Sequence, residues 1–184
     1  MKILQKICFV LLLTTFSSVY GGDCWDKVPD FDDCRVKAEQ GDSNVQLYLG
    51  DLYKKGQDVV QDYKEAVKWY RKSAEQGESR AQYNLGVSYG KGQGVTQDYK
   101  EAVKWYWKSA EQGYDQAQNN LGLMYYHGKG VLQDYVMAHM YWNIASVSEH
   151  KNAIRNRGIV EKKMTASQLE KAQDLAREWM QKHQ

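Results

Sequence analysis

Residues 74–109 read AEQGESRAQYNLGVSYGKGQGVTQDYKEAVKWYWKS, and residues 38–73 repeat that text with 25 of 36 positions identical. A third copy follows over residues 110–145. Ala38-Glu39-Gln40-Gly41 returns as Ala74-Glu75-Gln76-Gly77 and again as Ala110-Glu111-Gln112-Gly113, each step being 36 residues. The same offset links Leu49, Leu85 and Leu121, then Gly50, Gly86 and Gly122, then Tyr53, Tyr89 and Tyr125. A fixed period of this length marks an array of stacked supersecondary units.

Each unit holds two amphipathic segments. Ala81, Leu85 and Tyr89 recur at intervals of four and predict one apolar helix face. Ala102, Tyr106, Ser109 and Ala110 do the same over residues 99–112. Asp98 precedes that second helix with Glu101 three residues on, which predicts an N-cap and a capping box. Gly113 follows as a C-terminal stop. One helix pair cannot bury its own apolar face, whereas three stacked pairs make a continuous core.

The flanks read as caps. Phe31 to Gln40 predicts a lone helix before unit one. Beyond unit three, Ala153, Asn156 and Gly158 stay in phase with Ala117, Asn120 and Gly122, so a fourth first helix survives without its loop glycines. Thr165 and Gln168 then form a capping box for a last helix to about Met180, with Leu169, Ala172, Leu175, Ala176 and Trp179 as the stripe that closes the stack. The third unit drifts in its second half, with Met137 where Glu65 and Glu101 stand and Tyr141-Trp142 in place of Trp-Tyr.

Ahead of the array, Lys2 and Lys6, an apolar run from Ile7 to Leu13 and small residues to Gly22 have the layout of a secretory signal peptide. The apolar run is well short of the ~20 residues that span a bilayer. Cleavage is expected after Gly21 or Gly22, the alternative being an uncleaved anchor. Gly21-Gly22-Asp23 lacks a lipidation pattern before Cys24. The organisation is therefore a leader (1–21), a capping segment (22–37), repeats at 38–73, 74–109 and 110–145, and a degenerate fourth repeat with capping helix (146–184).

Export leaves Cys24 and Cys34, an even pair that predicts a disulfide around Pro29. The alternative is two thiols, with Cys34 packed as a small hydrophobe. Removing Lys2 and Lys6 from the 25 basic residues leaves 23, which equals the 23 acidic ones. Balanced charge gives no electrostatic reason to expect nucleic acid or an anionic membrane as partner. A protein or peptide partner, no membrane insertion after cleavage and a monomeric state are the expectations.

Chemistry-bearing patterns are thin. Gly92-Gln93-Gly94 and Gly128-Lys129-Gly130 recur once per unit between two helices, without the preceding strand and further glycine spacing that a phosphate cradle needs, so they read as turns. His127, His139, His150 and His183 show no metal-ligand spacing and read as solvated. Gly86-Val87-Ser88-Tyr89-Gly90 resembles a nucleophile elbow only in letters, because Ser88 aligns with Leu52 and Met124. Neither cofactor nor metal is expected, and no residue is assigned a catalytic role.

Ala81-Gln82-Tyr83-Asn84-Leu85-Gly86, Tyr89, Gly92-Gln93-Gly94-Val95, Asp98, Ala102, Trp105-Tyr106 and Ala110-Glu111-Gln112-Gly113 together resemble the Sel1-like repeat, a relative of the tetratricopeptide repeat with a longer loop. The resemblance covers Ala38 to Ala145 and implies an all-α, right-handed α-α solenoid that binds a peptide or protein surface in a groove lined by the first helices. A cysteine-rich branch of that family has been linked to β-lactam binding and hydrolysis, but it carries a cysteine pair in each unit and this chain has none there. A non-enzymatic scaffold is the expectation, and a nitrocefin assay separates the two.

Helical phase places the groove. Opposite the core positions, unit one presents Asn44, Tyr48 and Asp51, unit two Arg80, Asn84 and Val87, and unit three Gln116, Asn120 and Leu123. These vary between near-identical units, as recognition of an irregular ligand requires. The recurrence of Asn84, Asn120 and Asn156 is equally well read as bonding to inter-repeat backbone. Trp107 stands where the sister units have Arg71 and Asn143 and reads as a packing patch or an exposed anchor on the convex side.

Overall fold

The computed structural model describes residues 31–183, so the leader and Cys24 lie outside the described residues. Nine helices and no strand occur among them: α1 (Phe31–Glu39), α2 (Ser43–Lys55), α3 (Tyr63–Glu75), α4 (Ser79–Lys91), α5 (Tyr99–Glu111), α6 (Asp115–His127), α7 (Tyr135–Ser146), α8 (Lys151–Glu161) and α9 (Ala166–Lys182). α2 pairs with α3, α4 with α5 and α6 with α7, and each pair packs on the next. The expected all-α solenoid is what forms.

Local chemistry sets the helix ends. Asp62, Asp98 and Asp134 each accept two backbone N–H groups at the start of a second helix. Such a cap is worth about 1 kcal/mol. The reciprocal half of the expected capping box is missing, because Glu65 and Glu101 turn outward to Lys68 and Lys104. Among the described helices the full box forms at Thr165 and Gln168.

The glycine loops are built for packing. An added Cβ at Gly94 would stand 2.1 Å from the carbonyl oxygen of Tyr63, and one at Gly130 would stand 2.3 Å from that of Tyr99. Each loop thus lies on the first residue of the second helix one unit earlier, which explains why the glycines recur.

Within a unit, the second helix drives an aromatic ring into a glycine of the first. A Cβ on Gly50, Gly86 or Gly122 would come within 2.5 Å of Tyr70, 2.7 Å of Tyr106 or 2.4 Å of Trp142. The repeated glutamine adds a polar clamp. Gln76 and Gln112 donate to the side-chain oxygens of Gln46 and Gln82 at 2.8 Å. Gln46 and Gln82 in turn donate to the carbonyls of Ala38 and Ala74 on the preceding helix.

The C-terminal end departs from the pattern. α8 packs on α7 as a first helix should, but α9 also packs on α7 and does not pair with α8. On α3 and α5 the outward stripe is charged, with Lys68, Lys72, Lys104 and Lys108 all exposed. The equivalent positions on α7 are Met140 and Ile144, both buried, with Met137 packed beside them. Ala176, Leu175, Trp179 and Met180 of α9 join the same cluster. The drift of unit three is therefore the seat of the capping helix.

One expectation is corrected here. His139 is 1 % exposed rather than solvated, because it occupies the inward position of Val67 and Val103. Its Nε2 meets Glu161 Oε1 at 3.0 Å, and burial pushes the imidazole pKa below its ordinary value while Glu161 works against that shift. Cys34 is buried on α1.

Candidate functional site

The proposed groove residues lie on α2, α4 and α6 in three depths. Asn44, Arg80 and Gln116, each 36 apart, are exposed. Tyr48 and Asn120 are half-buried and Asn84 is buried. Asp51, Val87 and Leu123 are half-buried, with Val87 and Leu123 packed against core clusters.

Asp51 organises the first seam. Its Oδ1 accepts from the Tyr70 hydroxyl at 2.7 Å and from Asn84 Nδ2 at 3.3 Å, and its Oδ2 accepts from Arg80 at 2.7 Å. One carboxylate so ties α2 to α3 within its unit and to α4 in the next. Burial, and then the Asp51 charge, push the Tyr70 phenol far above its ordinary pKa, so it acts as a fixed donor. Arg80 is held by Asp51 yet its side chain remains 53 % exposed.

The second seam is built differently. Asn120, the counterpart of Asn84, shares side-chain hydrogen bonds with the hydroxyls of Tyr83 and Tyr106. Burial raises both phenols, and the Asn120 bonds oppose the rise. Tyr83 also packs on Tyr114 with ring centroids 5.3 Å apart. At the third seam, Asn156 donates to Asn119 Oδ1 at 3.4 Å and Trp142 donates to the Asn119 carbonyl at 3.1 Å. The three asparagines thus join neighbouring units, through side chains rather than through the backbone.

Tyr70, Tyr83 and Asn119 belong to this layer and were not singled out from the sequence. Asn119 stands where Leu47 and Tyr83 stand, so a buried carboxamide at an apolar position was its signal. Trp107 is 50 % exposed and borders a cleft of about 320 Å³ with Val103, Leu121 and Tyr125. It lies on α5, apart from the first-helix row.

Chemically, this face offers hydrogen-bonding side chains on a stiff row, with one accessible guanidinium. Among the described residues no group of three or more His, Cys, Asp or Glu is placed to hold a metal ion, and no helix is long and apolar enough to cross a membrane.

The Sel1 repeat profile matches residues 43–78, 79–114, 115–146 and 167–182. The chain belongs to the Sel1 repeat family. The matched segments begin at the first helix of each pair, five residues after the alanine that opens each unit, and the last falls on α9. A Sel1 repeat protein from Oxalobacter formigenes is 38 % identical with a TM-score of 0.63, over 65 % of this chain and 49 % of its own. c5321, described as a protective antigen of uropathogenic Escherichia coli displaying an SLR fold, is 35 % identical with a TM-score of 0.65, over 83 % of this chain and 40 % of its own. The Sel1 chain here thus spans less than half the length of either. Helicobacter pylori cysteine rich protein B shares the fold at 22 % identity and a TM-score of 0.53, over 66 % of this chain and 92 % of its own. No curated protein matches the chain. Sel1 repeats build helical scaffolds for protein–protein interaction, generally without enzymatic activity.

Proposed function

We propose that this Sel1 repeat protein is an exported, non-enzymatic scaffold, periplasmic or secreted, that holds a peptide or protein surface along the row Asn44, Arg80 and Gln116. The observation that carries the reading is the division of labour on α2, α4 and α6. The deeper positions, with Asp51, Asn84 and Asn120, are spent on joining units, while the outermost rung is exposed and differs in every unit, Arg80 alone of the three also bonding to Asp51 across the first seam. A rigid row with variable tips is what recognition of an extended partner needs, since little ordering entropy is lost on binding. Balanced charge fits a polypeptide partner better than a nucleic acid.

Photo-crosslinking residues placed singly at 44, 80 and 116 in the native host test this directly. All three should capture one and the same partner, and a residue placed at the exposed outer position Lys108 should not. Equal capture from both sides of the stack overturns the assignment. Export is tested separately. N-terminal sequencing should begin near Gly22 or Asp23, and the denatured, unreduced protein should show no free thiol if Cys24 and Cys34 are bridged.

A further inference from the structure

The glutamine clamp ends one unit early. In units one and two, Gln76 and Gln112 close over the side-chain oxygens of Gln46 and Gln82. In unit three the acceptor survives as Gln118, but the donor position holds Ser148. Gln118 is 3 % exposed and spends its amide nitrogen on the Ala110 carbonyl at 3.3 Å. Its oxygen receives no hydrogen bond from any described residue. Gln118 and Ser148 both line a cleft of about 540 Å³ where the ends of α5, α7 and α9 converge.

The other walls have a definite chemistry. Ile144, Val147 and Met180 are apolar, and Val147 at the mouth is 69 % exposed. Glu111 is fixed at the edge, with its Oε1 accepting from Trp179 Nε1 at 3.0 Å and its Oε2 lying 3.4 Å from His183 Nε2. The His183 ring stacks on Trp179 with centroids 3.9 Å apart. Glu111 is the one carboxylate in the lining, which contains no lysine or arginine.

We infer that this cleft is a second binding site, which takes a lysine side chain of a partner polypeptide together with its apolar neighbours. The ammonium supplies the N–H donor that Ser148 cannot, meeting the Gln118 oxygen on the side where Glu111 places its charge. The four-carbon stem lies along Ile144 and Met180. A volume of about 540 Å³ exceeds one lysine side chain, so flanking apolar residues enter with it. The site is separate from the first-helix row and does not depend on that row's binding anything.

The test uses the 15N-labelled protein and the peptide acetyl-Leu-Lys-Leu-amide, with norleucine in place of lysine as control. The lysine peptide should shift the side-chain amide of Gln118 and the indole N–H of Trp179 along saturable curves. Losing a charge-assisted hydrogen bond should weaken the norleucine peptide by about tenfold or more. Ser148→Gln restores the clamp of the sister units at an exposed turn, so it should fold, melt no lower than the parent and lose binding by at least a similar factor. The inference is overturned if both peptides bind alike, which makes the cleft a merely apolar surface. It is equally overturned if Ser148→Gln binds as the parent does, or if millimolar lysine peptide shifts neither signal.

Discussion

Tyr106 lays the edge of its ring on the bare backbone of Gly86, so that a Cβ there would sit 2.7 Å from Cδ1 and Cε1. Gly158 is the in-phase counterpart on α8, and a Cβ added to it would meet nothing within 4 Å. Gly86→Ala should therefore destabilise by roughly 1–3 kcal/mol through overpacking. Gly158→Ala should stabilise by about 0.5–1 kcal/mol, the gain of alanine in an unobstructed helix. Denaturant unfolding of the two variants checks the contrast, and equal effects would refute the reading of α8 as a first helix without its partner.

Glu149 takes the backbone position that Gly41, Gly77 and Gly113 hold elsewhere, with φ of 57°. A side chain in that left-handed region costs about 1–2 kcal/mol. Glu149→Gly should raise the melting temperature, offset in part by the greater freedom glycine gains in the unfolded chain. A thermal scan in which the variant melts lower than the parent would show that Glu149 makes a compensating contact.

Met140 and Ile144 are buried where sister units expose lysines, so α9 should be indispensable. A chain ending after Met164 should aggregate or melt early, because it lays open an apolar stripe on α7. Adding Met140→Lys and Ile144→Lys to that truncation restores the charged surface of α3 and α5 and should return a soluble, monodisperse array by size-exclusion chromatography. Trp179→Ala alone should cost about 2–4 kcal/mol, since the residue is half-buried and loses both its packing and its bond to Glu111.

Burial holds the His139 imidazole below its ordinary pKa, so the unfolded chain takes up that proton first as pH falls. Stability from this group is complete above about pH 6.5 and declines below it, until the folded state also protonates. His139→Val restores the residue of the sister units. It should flatten the loss of melting temperature between about pH 7.5 and about pH 5.5, whatever it does to stability at the upper end. An unchanged pH slope would assign the loss to carboxylates.

The repeating parts of the fold were legible because period and helical phase agree over three units. Leu49, Leu85 and Leu121 lie in the core as read, and Asp62, Asp98 and Asp134 cap as their positions predict. What periodicity could not reveal lies in departures from it. Asp51 has Val87 and Leu123 as counterparts, so nothing in the sequence ties it to Tyr70, Arg80 and Asn84. Met137, Met140 and Ile144 replace charged residues at helical spacing, which signals a covered face without naming what covers it. His139 was read by residue type, when its alignment with Val67 and Val103 already pointed inward.

The commitment of α7 to α9 also fixes where such an array can lengthen. A tandem duplication placed after α7 would separate the apolar stripe of Met140 and Ile144 from its cover and leave it facing water. A duplication placed upstream of Tyr135 leaves that cover in place, and units one and two share the glycine–aromatic contact and the glutamine clamp although their seams are bonded differently. Residues 38–73 and 74–109 are near-identical, whereas the third unit, which carries the stripe under α9, departs from them. A copy inserted between α7 and α9 would part a helix from its cover.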